Sequence, residues 1–274
     1  MIKTLLSMIF LLVFVFAGNE ANVTRTVTVV VPVLTSLSLS SSTTTLNVGE
    51  TTELTLMGTY SDNTSKTVTQ GIAYVITPSN SVEVNGTVLT AKKNGNVTLQ
   101  AKVGNTLSNK VNLNITWIVN GHTLPPEPDK TLNDSTLLGI DVNNNGVRDD
   151  VERWIYTNYQ DKHPIHIDIG MQAAKGYNLV LETPDKARAI YHEVDKAAYC
   201  EVYYKIDAEL VGASLLLTED IDSQYFRHEI YFNTKERLDA YLKYDTLLSG
   251  YTYALPNIED EKKACNFNTD KYEE

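Results

Sequence analysis

Between residue 22 and about residue 118, apolar positions recur every second residue. Around "LTSLSLS", Val33, Thr35, Leu37 and Leu39 share one face, as a half-buried strand requires. The alternation returns in "TTELTLMGTY", "GIAYVITP", "TVLTAKK", "NVTLQAKV" and "KVNLNITWIV", with turn residues at Gly49, 61–65, 78–80, 85–86, 94–95 and 104–105 between them. Seven or so short strands punctuated in this way predict an antiparallel sandwich. After Glu152 the period becomes three and four. In "TPDKARAIYHEVDKAAYCEVYYKI" the positions Ala187, Ile190, Tyr191, Val194, Ala198, Val202 and Ile206 form one stripe, with Thr183 as the expected N-cap and Pro184 at the first helical position. In "NTKERLDAYLKYDTLLSG" a cap-like pair, Asn233 and Glu236, opens a further helix that stops at Gly250. Residues 153–274 are therefore expected to be an α-helical domain of four or five helices.

The stretch between the two patterns, residues 119–138, holds Pro125, Pro126 and Pro128, which favour an extended, semi-rigid spacer. At the start, Lys3, an apolar run from Leu5 to Ala17 and small residues after it read as a signal peptide over 1–21. No later apolar run is long enough to span a bilayer, and no Cys lies near the cleavage region to take a lipid. The expected location is secreted, periplasmic or at the cell surface. There, the two cysteines, Cys200 and Cys265, are expected to pair, closing a loop of about 65 residues worth roughly 4 kcal/mol in the chain-entropy model.

The segments "LNVGETTELTLMGTYSDNTSKTVT" and "AYVITPSNSVEVNGTVLTAKKNGNVTLQAKVGN" resemble the group 2 bacterial immunoglobulin-like domain over about residues 34–116. Tyr74 stands where that family often has a core Trp. The resemblance implies a β-sandwich used for display, spacing or adhesion outside the cytoplasm, with no catalytic residues. It also implies that the Asn-x-Ser/Thr sequons, Asn133 among them, are not glycosylated.

"GIDVNNNGVRDDVERWI" carries the one strong chemical motif. Counting Asp141 as position one, side-chain oxygens fall at Asp141, Asn143, Asn145, Asp149 and Glu152, a glycine sits at Gly146, and Val147 offers a backbone carbonyl at position seven. Calcium takes six to eight hard oxygens from a tightly turned loop, and this order matches the EF-hand calcium loop. Two departures separate it from a paired EF-hand. Arg148 occupies position eight, and the preceding "NDSTLLGI" is too short for an entering helix. Both fit a single site, and the run is similar to the "DxDxDGxxDxxE" loops of bacterial thrombospondin type 3-like repeats. The expected cofactor is Ca²⁺, bound weakly, at roughly 10⁻⁴ to 10⁻³ M. The helical half resembles a domain of bacterial exported proteins with the same "GIDxNxNGVRDDVE" run and no assigned activity.

The predicted organisation is an immunoglobulin-like β-sandwich (22–118), a Pro-rich linker (119–138), a calcium loop (139–152) and an all-α domain (153–274). Charge sharpens the function. Residues 117–274 hold 16 Lys and Arg against 29 Asp and Glu, an acidic field that repels phosphate backbones and anionic lipid and attracts cations. Nucleic acid is excluded as a partner; a protein or glycan ligand at the cell surface is expected. Other chemistry is thin. His163 and His166 in "HPIHID" are expected on a surface loop, and "HEVDK" and "HEIYF" lack the second His of a zinc helix. The sequence thus predicts a calcium-binding, non-catalytic binding, adhesion or spacer protein; the competing reading is an extracytoplasmic hydrolase with its site in the helical half.

Overall fold

The structure, a computed structural model, describes residues 11–12, 27–28, 30–252 and 254–272. The signal peptide expected over 1–21 lies outside the described residues, except that Leu11–Leu12 pairs with Val27–Thr28.

The N-terminal half consists of two sheets around one apolar core. The first contains β1 (Leu34–Ser41), β3 (Thr51–Tyr60), β7 (Val88–Ala91) and β6 (Val82–Asn85) in that order, with β4 (Ser65–Thr67) paired to β3. The second runs β2 (Thr45–Asn47), β9 (Thr106–Thr116), β8 (Gly95–Val103) and β5 (Ile72–Thr77), and β2 joins β9 in parallel. Alternation decides which side chains face inward: Leu54 and Leu56 of β3, Val97, Leu99 and Ala101 of β8, and Val111, Leu113 and Ile115 of β9 all enter a single cluster. The predicted face of β1 is correct only in part. Leu37 and Leu39 are buried, but Val33 and Thr35 are exposed, because a register irregularity between Leu34 and Ser36 shifts the phase and turns Leu34 toward the core instead.

Residues 119–138, expected as a semi-rigid spacer, contain short elements and make contacts of their own. β10 (Ile118–Val119) and β11 (His122–Thr123) form a small hairpin, Leu124 is buried, and α1 (Lys130–Asp134) is capped by the Asp129 side chain. The hairpin and the prolines after it fasten the two halves together. Arg153 Nη1 donates to Asn94 Oδ1 and to Pro125 O, both at 2.8 Å, and its guanidinium stacks 4.8 Å from the Trp117 ring centre. Asn94 Nδ2 in turn donates to Leu124 O and Pro125 O.

The C-terminal half is helical: α2 (Asp149–Asn158), α3 (Ile165–Glu182), α4 (Ala187–Val202), α5 (Lys235–Leu248) and α6 (Ile258–Lys263). α3 buries most of its residues, His166 and Gln172 among them, and lies at the centre of the helical half. Thr183 does not cap a helix with its side chain; its hydroxyl bonds back to Leu179 O, and a short 3₁₀ turn at Pro184–Lys186 precedes α4. The stripe predicted for α4 holds through Val194, then passes to Ala197, Cys200 and Glu201, leaving Val202 and Ile206 exposed. A π-helical turn over Tyr203–Asp207 resets the phase there. The Cys200–Cys265 disulfide is formed and ties α4 to the tail, and Gln172 of α3 holds the same tail through Ala264 O and Asn266 N. Among the described residues no helix is long and apolar enough to cross a membrane.

Candidate metal centre

The run from Gly139 to Glu152 folds as one tight loop leading into α2. Asn144 and Gly146 adopt positive φ, 54° and 82°, which turns the chain sharply twice. Backbone N–H groups of the loop then converge on its own side chains. Asn145 N donates to Asp141 Oδ1 at 3.2 Å and to Asn143 Oδ1 at 3.1 Å; Gly146 N donates to Asp141 Oδ2 at 2.9 Å; Val147 N donates to Asn145 Oδ1 at 2.8 Å. The oxygens at positions one, three and five are thereby held to the inside of the turn.

The last two expected ligands sit on the first turn of α2, where the helix dipole favours negative charge, and both are fully buried. Asp149 accepts from Val142 N at 3.1 Å. Burial pushes its carboxyl up to about 6 despite that bond, and the charges of Asp141, Glu152 and Asp150 push in the same direction. Glu152 accepts from the amides of Asn145 at 2.8 Å and Asn143 at 3.1 Å, and its Oε1 lies 2.5 Å from His122 Nε2 of β11. The His122 ring is stacked on Tyr156 one turn further along α2. Asp141, Asn143, Asn145, Asp149 and Glu152 therefore come together, and the Val147 side chain anchors the loop in the helical core. Among the described residues no set of three or more His, Cys, Asp or Glu is arranged to hold a metal, so any cation here depends on amide and carbonyl oxygens as well.

The sequence reading missed what surrounds the loop. Arg148, noted only as a departure at position eight, is buried and donates to Tyr231 O and Ile230 O, while its Nε pairs with Asp150. Asn133 is buried too, bridging Ile140 N and Asp150 Oδ2, so no glycan can sit on it in the folded chain. Gly139 packs where a side chain would collide with Arg148 and Asn133. Arg237 of α5, fully buried, donates to the carbonyls of Asn133, Thr136 and Leu137 and to Asn233 Oδ1. Asn233 thus serves this arginine, and the cap of α5 is Thr234. His163 lies in the irregular, partly exposed segment before α3, but His166 is not on a surface loop as expected: it is buried in the first turn of α3, its Nδ1 against His163 O.

No family model and no curated protein matches this chain in sequence. Among solved structures, the crystal structure of the S-layer protein SbsC domains 4 and 5 is similar over 34% of this chain and 59% of its own, at 16% identity and a TM-score of 0.27. The chain thus spans less than two thirds of that structure, and so slight a likeness supports no inference about this chain.

Proposed function

We propose that this chain is an extracytoplasmic, non-catalytic binding or spacer protein whose helical half is stabilised by one calcium ion. In this reading the two-sheet half is an immunoglobulin-like sandwich. The observation that carries the calcium reading is the crowding of Asp149 and Glu152, fully buried beside Asp141, with the burial-raised Asp149 carboxyl as its signature. Such a set is costly without a compensating cation. The donor set suits calcium: hard carboxylate, amide and carbonyl oxygens, with no thiolate and no imidazole needed. Asp141, Asn143, Asn145, Asp149 and Glu152 with the Val147 carbonyl would hold the ion, and it would supply a positive charge where Glu152 now accepts from the neutral Asn143 and Asn145 amides.

The competing reading, an extracytoplasmic hydrolase with its site in the helical half, is tested separately by assaying the intact chain for hydrolysis of ester, peptide and glycoside substrates. Titration calorimetry of the intact chain with CaCl₂ tests the metal reading. The expected result is one saturable site at roughly 10⁻⁴ to 10⁻³ M, lost in Asp141→Ala. No heat, and no rise in Tm with calcium, would leave only a hydrogen-bonded turn.

A further inference from the structure

Each half of the molecule exposes an apolar patch, and the charges around the two patches are of opposite sign. On the helical half, Val202, Ile206 and Leu210 follow at four-residue intervals through the end of α4, the π-helical turn and the 3₁₀ turn Ala208–Val211, with Val211 beside them. All four are exposed, Leu210 to 73% and Ile206 and Val211 to 58%. Keeping such a stripe in water is unfavourable, and a contiguous apolar surface of this kind marks a place where something docks. Its surroundings are acidic. Residues 201–222 hold six Asp and Glu against the single Lys205, which is already paired with Asp220. Glu209, next to Leu210, is exposed.

The second sheet of the β half is the counterpart. Its strands β2, β5, β8 and β9 contain no Asp or Glu and two lysines, Lys102 and Lys110. Alternation and register set these on the solvent face in two rows. Lys102 lies opposite Ala73 of β5 and Leu107 of β9, and Gln100 lies opposite Val75 and Lys110. Val75 is 49% exposed and Leu107 50%, so the face is apolar between its lysines. Among the described residues neither lysine forms an ion pair.

Within one molecule both patches face solvent, so they do not meet. Two copies of the acidic stripe would repel each other, and so would the stripe and an anionic lipid surface. A second copy of the chain offers the stripe an apolar face carrying lysines and no acid, which complements it in both respects. Because the two patches differ, the contact is heterologous and can repeat from one copy to the next. We propose that the acid-ringed stripe of Ile206, Leu210 and Val211 docks on the lysine-bearing outer face of the second sheet of another copy, so that copies associate head to tail. This contact is separate from the calcium loop and does not rest on it.

The test is sedimentation velocity of disulfide-bonded residues 22–274, without the expected signal peptide, whose apolar run would itself drive association. It is run at millimolar calcium from roughly 10 µM to 1 mM, where small, transient interfaces populate. The weight-average mass is expected to rise with concentration past that of a dimer, and to fall back as NaCl is raised, because the exposed charges are screened. Leu210→Glu, and the double variant Lys102→Glu with Lys110→Glu, should each stay monomeric throughout. All three positions are exposed, so these variants keep the fold, checked by unshifted melting curves. Mixed together, the two variants should form a 1:1 dimer and nothing larger, since each keeps the face that the other has lost. The proposal is overturned if the wild type stays monomeric at the highest concentration, which would leave the stripe to a different protein. It is overturned equally if only Leu210→Glu loses association, which would mark contact between two stripes, or if the mixture stays monomeric.

Discussion

The two halves of this molecule are held together by different physics. The β half buries aliphatic side chains from both sheets in one cluster, and its few buried polar residues, Thr52, Ser81 and Ser108, are small hydroxyls. The helical half buries Arg148, Asp149, Glu152, Glu201 and Arg237; Asp149, Glu201 and Arg237 bond to backbone groups of irregular segments, and Arg148 to the π-helical turn over Phe226–Tyr231. Arg237 alone gathers the carbonyls of Asn133, Thr136 and Leu137. A core of sheets can be specified by alternation. A small helical domain threaded by long irregular segments needs buried charges to fix those segments.

Removing the arginine should separate the two cases most strongly. Arg237→Ala leaves the buried Asn133 carbonyl and the partly buried carbonyls of Thr136 and Leu137 without their donor and should destabilise the helical half by about 3 to 5 kcal/mol. Leu99→Ala, at the centre of the sheets, should cost about 3 kcal/mol in the β half alone. Calorimetric melting of the two variants is expected to shift opposite transitions; a shared shift would show that the halves do not differ in this way. Replacing Cys200 and Cys265 together by Ala should cost up to roughly 4 kcal/mol, again confined to the helical transition. Arg153→Ala removes the bonds to Asn94 and Pro125 and should cost about 1 to 2 kcal/mol, seen as a wider separation of the two transitions in urea.

A further effect concerns pH. Burial pushes the Glu261 carboxyl of α6 up to about 7, with Asp207 beside it adding to the rise. The folded chain then holds this proton more tightly than the unfolded one, whose carboxyl has the ordinary value of 4.5. Stability from this group is full below about pH 4.5 and is lost as pH rises through about 7. Glu261→Gln should flatten the fall of Tm across that interval, and an unchanged slope would assign it elsewhere.

Much of the β half was legible because side-chain period and burial are the same information in a strand. The error at Val33 and Thr35 came from a local register irregularity, which alternation alone does not reveal. The loop was legible for a different reason: oxygens at fixed offsets around a glycine are a chemical pattern, and the structure brings Asp141, Asn143, Asn145, Asp149 and Glu152 together. What escaped notice lay at long separations. His122 reaches Glu152 across 30 residues, and Arg148 and Arg237 reach partners 83 and 104 residues away. A charged residue that makes such contacts looks, in sequence, like any solvated one. The only local hint was Arg148, which departs from the paired EF-hand pattern at position eight of the loop. What residues 119–138 pack against was not legible, because prolines report backbone conformation and say nothing about a segment's neighbours.

If calcium at Asp141–Glu152 organises the start of the helical half and leaves the sheets alone, amide hydrogen exchange on the intact chain, with millimolar calcium and with chelator, will register it region by region. Calcium should slow exchange in residues 139–158 and in the 226–234 segment that Arg148 holds, with β3, β8 and β9 unchanged. Equal exchange in both conditions, or slowing spread evenly over both halves, would refute that role for the ion.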